Sequence, residues 1–196
     1  MTTSGPRIAL LAAAVFAAAA GRASALNVGE KAPVFTLAVA GESRSLSLPQ
    51  EVSSNALTVV MFISTRCPVS NAYDVRMQEL EKAFGSRRVR FIGVNSNVNE
   101  PPAEIARHAR EHGFTFPVVK DEGNRVADAY GAQHTPEIFV IDSAGVLRYH
   151  GRIDENMDDA ASVRSPDLRN ALDALLAGRP APVASTKAFG CSIKRG

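Results

Sequence analysis

Cysteine is scarce in this chain: Cys67 and Cys191 are the two among 196 residues. Two thiols exclude a disulfide-dense scaffold. They leave one bridge, or one working thiol with or without a helper. An excess of one charge is also missing. Lys and Arg number 22 against 20 Asp and Glu. Arg7 and Arg22 are the charges in 1–25, so the remainder is balanced. That balance supplies no electrostatic footprint for nucleic acid or an anionic membrane surface. After the N-terminus no apolar run approaches the about 20 residues that a spanning helix needs. Internal repeats and long low-complexity stretches are absent there too, and the length suits one domain with a full core.

What is present begins with a leader pattern. Arg7 precedes an uncharged run from Ile8 to Ala20, which gives way to Ala23-Ser24-Ala25. A short basic region, a brief apolar stretch and an A-x-A end describe a secretory signal peptide. The expected division is 1–25 signal peptide, 26–178 folded domain and 179–196 C-terminal tail carrying Cys191. Export places both thiols in an oxidising compartment, expected to be the periplasm, with no stable membrane insertion once the signal is removed.

The rest alternates between two periods. Residues 33–39 and 46–48 flank the turn Gly41-Glu42-Ser43 and read as an N-terminal β-hairpin. The continuous apolar run Ala56 to Ile63 reads as a strand buried on both faces. Val69, Tyr73, Met77, Leu80 and Phe84 recur at helical spacing, so one helix is predicted to Phe84, stopped by Gly85. A strand at 89–94, a helix at 103–112, a strand at 116–119 and a short helix at 124–130 follow. Residues 138–141 and 146–150 flank the turn Asp142-Ser143-Ala144-Gly145. A helix at 167–176 precedes the irregular tail. This order predicts an α/β fold, with a central mixed β-sheet flanked by helices.

Cys67 stands where the buried strand gives way to a helix. Thiolate is the reactive form of cysteine, and its pKa falls at a helix N-terminus and beside a cation. Unpaired helix N–H groups lie on one side and Arg66 on the other. Pro68 fits the first helical turn, where its missing N–H costs nothing.

A buried strand running into Cys67-Pro68-Val69-Ser70, a later Thr135-Pro136 before a strand, and a closing hairpin and helix resemble the thioredoxin-like superfamily. The branch most resembled is the redoxin group of alkyl hydroperoxide reductase/thiol-specific antioxidant and peroxiredoxin-like proteins. Phe116 to Asp121 and the tail from Thr186 to Lys194 are similar to segments of that branch. The resemblance implies a thioredoxin-like fold over about residues 27–177. It aligns Cys67 with the attacking cysteine, Ser70 with the position of the usual second cysteine, and Pro136 with the cis proline beside the active site. Met61 replaces the buried acid of thioredoxins, and Val60 stands where the peroxiredoxin motif has proline. With Ser70 in place of cysteine, Cys67 has no local partner for a disulfide.

Cys191 therefore has three readings: a resolving thiol, a structural bridge that pins the tail, or an unrelated tail thiol. Cys67, Cys191, Arg66 and Pro136 are the expected catalytic residues, with Thr65, Ser70 and His134 in support. His134 could relay protons to Cys67. Arg76 could steady the thiolate or be a surface charge. His108 and His112 have ligand spacing, but Arg107 and Arg110 flank them, so a solvated helix face is expected and no metal. Residues 154–159 (DENMDD) read as a solvated acidic loop. The functional expectation is an exported thiol redox enzyme and antioxidant protein acting on protein disulfides or thiols, or on peroxide, without a cofactor. The alternative is a copper-binding or copper-delivery module using Cys67, His134 and Cys191.

Overall fold

The computed structural model describes Met1 and residues 26–196. The expected signal peptide lies outside the described residues. Among the latter, no helix is long and apolar enough to cross a membrane.

The chain opens with strands β1 (Thr36–Ala38) and β2 (Ser45–Ser47), paired antiparallel as the expected hairpin. Helix α1 (Leu48–Ser54) follows directly. It was not foreseen, because Leu46 and Leu48 read as one alternating strand. Pro49 supports the first turn of a helix, and Leu48 and Val52 bury one face of it.

Strand β3 (Leu57–Phe62) is buried along its whole length. Its neighbours explain this. It pairs parallel with β4 (Val89–Asn95) and antiparallel with β7 (Glu137–Asp142). Beyond them lie β5 (Val118–Lys120), parallel to β4, and β8 (Leu147–Gly151), antiparallel to β7. The five-stranded order is β5-β4-β3-β7-β8. Strand side chains alternate between faces, so β3 feeds two cores. Val59 and Met61 join one with Met77, Leu80, Phe84 and Leu172. Val60 and Phe62 join the other with Leu48, Val52, Val126 and Tyr130. Each such fully buried side chain contributes roughly 1.5–3 kcal/mol of apolar transfer.

The helix predicted from Val69 to Phe84 is two helices, α2 (Pro68–Ala72) and α3 (Asp74–Phe84). Tyr73 divides them. Its N–H bonds to the Ser70 carbonyl, three residues back, which tightens the turn, and its buried hydroxyl donates to Asp154 at 2.9 Å. The remaining elements are α4 (Pro102–Glu111), α5 (Arg125–Tyr130), β6 (His134–Thr135), α6 (Asp167–Leu176) and β9 (Cys191–Ser192).

The tail is irregular over most of its length, as expected, but it is tied down. Thr186 brackets the end of β8: its N–H donates to His150 O, and its hydroxyl meets Tyr149 Oη at 2.9 Å. Strand β9 then pairs antiparallel with β6, setting Thr135 opposite Cys191 and His134 opposite Ser192. Ile193 is buried, and Lys194 N donates to Asn97 Oδ1 at 2.7 Å. Gly190 permits the approach: a Cβ there would lie 2.1 Å from the Thr135 carbonyl oxygen.

Candidate active site

Strand β3 ends at Phe62, and the backbone turns through Ser64, Thr65 and Arg66 before α2 begins. Two acidic side chains hold this turn. The buried Glu100 carboxylate accepts from Ser64 Oγ (2.5 Å), Thr65 N (2.7 Å), Thr65 Oγ1 (2.9 Å) and Asn95 Nδ2 (2.5 Å). Ser64 Oγ in turn accepts from the N–H groups of Arg66 and Cys67. Glu104 binds Arg66 through two guanidinium nitrogens, at 2.7 and 2.5 Å. That pairing, chiefly the hydrogen bond from Arg66, pulls the Glu104 pKa down to about 2.

Cys67 is the N-cap of α2 and only 2% exposed. Its sulfur accepts from the Ser70 N–H at 3.3 Å, and its thiol lies 3.1 Å from the Thr135 carbonyl oxygen. Thr135 precedes Pro136, and the bond between them is cis. Cys191 reaches the same place from the other side, through its register with Thr135. The two thiols are close enough to perturb each other's ionisation. The first turn of α2 directs the Ser70 amide at the Cys67 sulfur. Both cysteines are free thiols.

The environment splits the two thiols. Burial raises the pKa of Cys67, but the neighbouring Cys191 thiol, the Thr135 side chain and the Ser70 amide outweigh it and leave the value lowered. Cys191 is raised, by burial first and then by its position beside Cys67. Thiolate character thus falls on Cys67.

Several sequence-predicted positions need correction. Arg66 does not serve Cys67: its charge is engaged by Glu104, and its side chain is half exposed. His134 lies 3.9 Å from Glu137. Thr65 acts on the turn through Glu100 and Glu104. Ser70 contributes its amide to sulfur, while its hydroxyl accepts from Ser64 N at 3.2 Å. Arg76 is neither beside the thiol nor a free surface charge. It forms an ion pair with Asp154 at 2.7 Å. Asp154 is itself buried, so the loop expected to be solvated begins with an interior carboxylate. His108 is packed, not solvated, against Asp74 and Phe114. Among the described residues, Asp74, His108 and His112 bring three donor atoms within 4.8 Å of one another; Cys67, His134 and Cys191 do not form such a group.

Sequence reasoning missed Glu100, Glu104, Glu137 and the role of Thr135. Glu137 lies under the Pro136 loop, where its carboxylate accepts from Gln133 N (2.7 Å) and His134 N (2.9 Å) and meets His150 Nε2 at 2.7 Å. The available signal was chemical: Ser64 and Thr65 leave a buried strand with hydroxyls to satisfy, and Glu100 stands just before the Pro101-Pro102 stop.

The model of the AhpC/TSA family matches residues 28–150. The chain belongs to the AhpC/TSA family. Among curated relatives, this AhpC/TSA protein is 31% identical over 137 residues to the thiol-disulfide oxidoreductase ResA of Halalkalibacterium halodurans, covering 68% of this chain and 74% of that one. A solved structure from Geobacillus kaustophilus, described as an uncharacterized conserved protein, is 33% identical with a TM-score of 0.81, covering 87% of this chain and 93% of that one. A hypothetical protein from Sinorhizobium meliloti 1021 is 29% identical with a TM-score of 0.80, covering 88% and 97%. The fold is thioredoxin-like, as the AhpC/TSA membership and the mixed five-stranded sheet require.

Proposed function

We propose that this AhpC/TSA protein is an exported, periplasmic thiol–disulfide oxidoreductase in which Cys67 attacks and Cys191 resolves. The observation that carries the reading is the β6–β9 register, which sets Cys191 opposite Thr135 and beside Cys67. The opposed pKa directions of the two thiols support the assignment of roles. The relationship to ResA supports the reaction class.

The Cys67 thiolate attacks one sulfur of a substrate disulfide. A Cys67–substrate mixed disulfide forms, the substrate S–S bond breaks, and the departing thiolate takes a proton from solvent. Cys191 loses its proton and attacks the Cys67 sulfur. The mixed disulfide breaks, the second substrate thiol leaves, and a Cys67–Cys191 disulfide remains. The substrate gains two electrons and the protein loses two, which an external dithiol restores. Ser70 supplies an amide to the Cys67 sulfur, and Pro136 shapes the wall beside it.

Peroxide reduction at the same sulfur is a second reading, favoured by the near-complete burial of Cys67, which suits a small oxidant. Cys67 would become a sulfenic acid as the peroxide O–O bond breaks. Condensation with Cys191 would release water and form the same disulfide.

The test is trapping with the Cys191→Ser protein. A model protein disulfide should leave a Cys67-linked adduct in mass spectrometry, while wild-type protein passes on to the internal disulfide. Absence of the adduct, with Cys67 left reduced, overturns disulfide exchange. Accumulation of sulfenic acid with hydrogen peroxide, at a rate exceeding that of free cysteine, would establish the second reading. Export is tested by the N-terminus of protein recovered from the periplasm, expected to start at Leu26.

A further inference from the structure

His108 and His112 lie one turn apart on α4, which places them on one helix face. The start of α3 delivers Asp74 to that face. Asp74 is 3% exposed, and its Oδ2 lies 2.7 Å from His112 Nδ1 and 3.3 Å from His108 Nε2. The rings stack, with centroids 3.9 Å apart and planes 21° from parallel. Phe114 closes the inner side, its ring edge-on to His108 at 5.7 Å. Gln78, one turn beyond Asp74, donates to both the Asp74 and His112 carbonyls and ties the two helices together.

A buried carboxylate normally collects hydrogen bonds. Here Asp74 Oδ2 receives none, although two imidazole nitrogens stand within reach. The in-plane direction of a ring nitrogen serves either an N–H or a lone pair, and neither is aimed at Oδ2. Three potential ligand atoms lie within 4.8 Å of one another, and a shared ion would require the two stacked rings to turn their nitrogen lone pairs toward it. Two imidazoles and a carboxylate are ligands of borderline divalent metals, and three protein ligands leave positions open for water. Arg107, which flanks the pair in sequence, lies 3.6 Å from Glu111. His112 is 40% exposed on its side chain, so the site opens to solvent.

We propose that Asp74, His108 and His112 form a binding site for one divalent transition-metal ion, of the zinc class, clamping α3 to α4. The site is separate from the thiol pair, and its existence does not depend on the proposed reaction. Its inner wall does adjoin the turn before Cys67: a small cavity of about 10 Å³, lined in part by Ser64, Thr65, Ser70, Asp74 and His108, lies between them. That volume is about the room of one water.

The experiment is calorimetric titration of untagged, metal-stripped full-length protein with zinc chloride, alongside cobalt(II) absorption spectra. The protein used is the Cys67→Ser/Cys191→Ser double variant, so that thiols cannot supply ligands. One equivalent of zinc is expected, with cobalt bands free of thiolate charge transfer. Zinc at a hundredfold excess over Kd should raise Tm by about 5 °C or more. His112→Ala and Asp74→Asn, each placed in that double variant, should weaken zinc at least tenfold. His112→Ala, lying half in solvent, should keep the metal-free circular dichroism spectrum. No saturable binding to the double variant, or binding unchanged by His112→Ala, would overturn the site.

Discussion

Cys67 lies between two segments of opposite character. On one side the turn 64–66 is held by interior side chains: Glu100 alone accepts four hydrogen bonds there. Hydrogen bonds to a charged group contribute about 1.5–3 kcal/mol each, so this wall is stiff. On the other side, Cys191 arrives on a strap whose anchors are a two-residue strand pairing, the Thr186 contacts and the buried Ile193. Backbone bonds contribute about 0.5–1.5 kcal/mol each, and few apolar groups are buried. Segments of this kind occupy the low end of local stability. On the proposed mechanism, the contrast gives Cys67 a fixed position and Cys191 a releasable one. Release is also what a large substrate requires, since Cys67 is buried while the strap is docked.

The largest expected effect on this contrast is loss of the shared sulfur. Cys67→Ser should lower disulfide-reducing turnover by about a thousandfold or more, measured with a thiol-coupled assay. Cys191→Ser should spare the first attack and remove the internal resolving step; single-turnover kinetics should stay within about threefold of wild type while steady-state turnover falls about tenfold or more. On the fixed side, Glu100→Ala should cost about 3 kcal/mol of stability in denaturant unfolding, through the donors it strands.

On the movable side, Gly190→Ala should behave differently. Its Cβ would collide with the Thr135 carbonyl, so the strap must shift while the core stays closed. Slower closure of the Cys67–Cys191 disulfide is expected, by about tenfold, with Tm changed by less than about 3 °C. A fall in Tm as large as that of Glu100→Ala would place the strap among the core elements.

Acid provides the smallest perturbation. Glu104 has its pKa depressed from the ordinary 4.5 to about 2, chiefly by Arg66. A lowered folded-state pKa gives stability that is present above pH 4.5 and is lost as pH falls toward 2. The pair is partly exposed and screened, so a modest loss is expected over that window. It should be absent in Glu104→Gln, by thermal melts at each pH.

The fold was legible where local pattern and tertiary context agree. The apolar run of β3 needs burial on both faces, and the sheet provides it. Cys67-Pro68 carries a helix start in its own chemistry, and Pro136 was placed by family resemblance. Positions that depend on distant partners were not legible. Arg66 is adjacent to Cys67 in sequence, but Glu104 takes its charge. Asp154 read as part of a solvated loop because Tyr73, its donor, lies 81 residues away, and Glu100 was missed because Ser64, one of its donors, lies 36 residues back. The Tyr73 break was hidden because the apolar spacing continues through it. The docked tail was hidden because its anchors, Gly190, Ile193 and Lys194, bear no period at all.

The most direct test is peptide mapping under non-reducing conditions after one equivalent of disulfide oxidant is added to the reduced, full-length protein. A single intramolecular Cys67–Cys191 link in monomeric protein, reversed by a dithiol, is expected. Recovery of Cys191 as a free thiol while Cys67 is oxidised would contradict it.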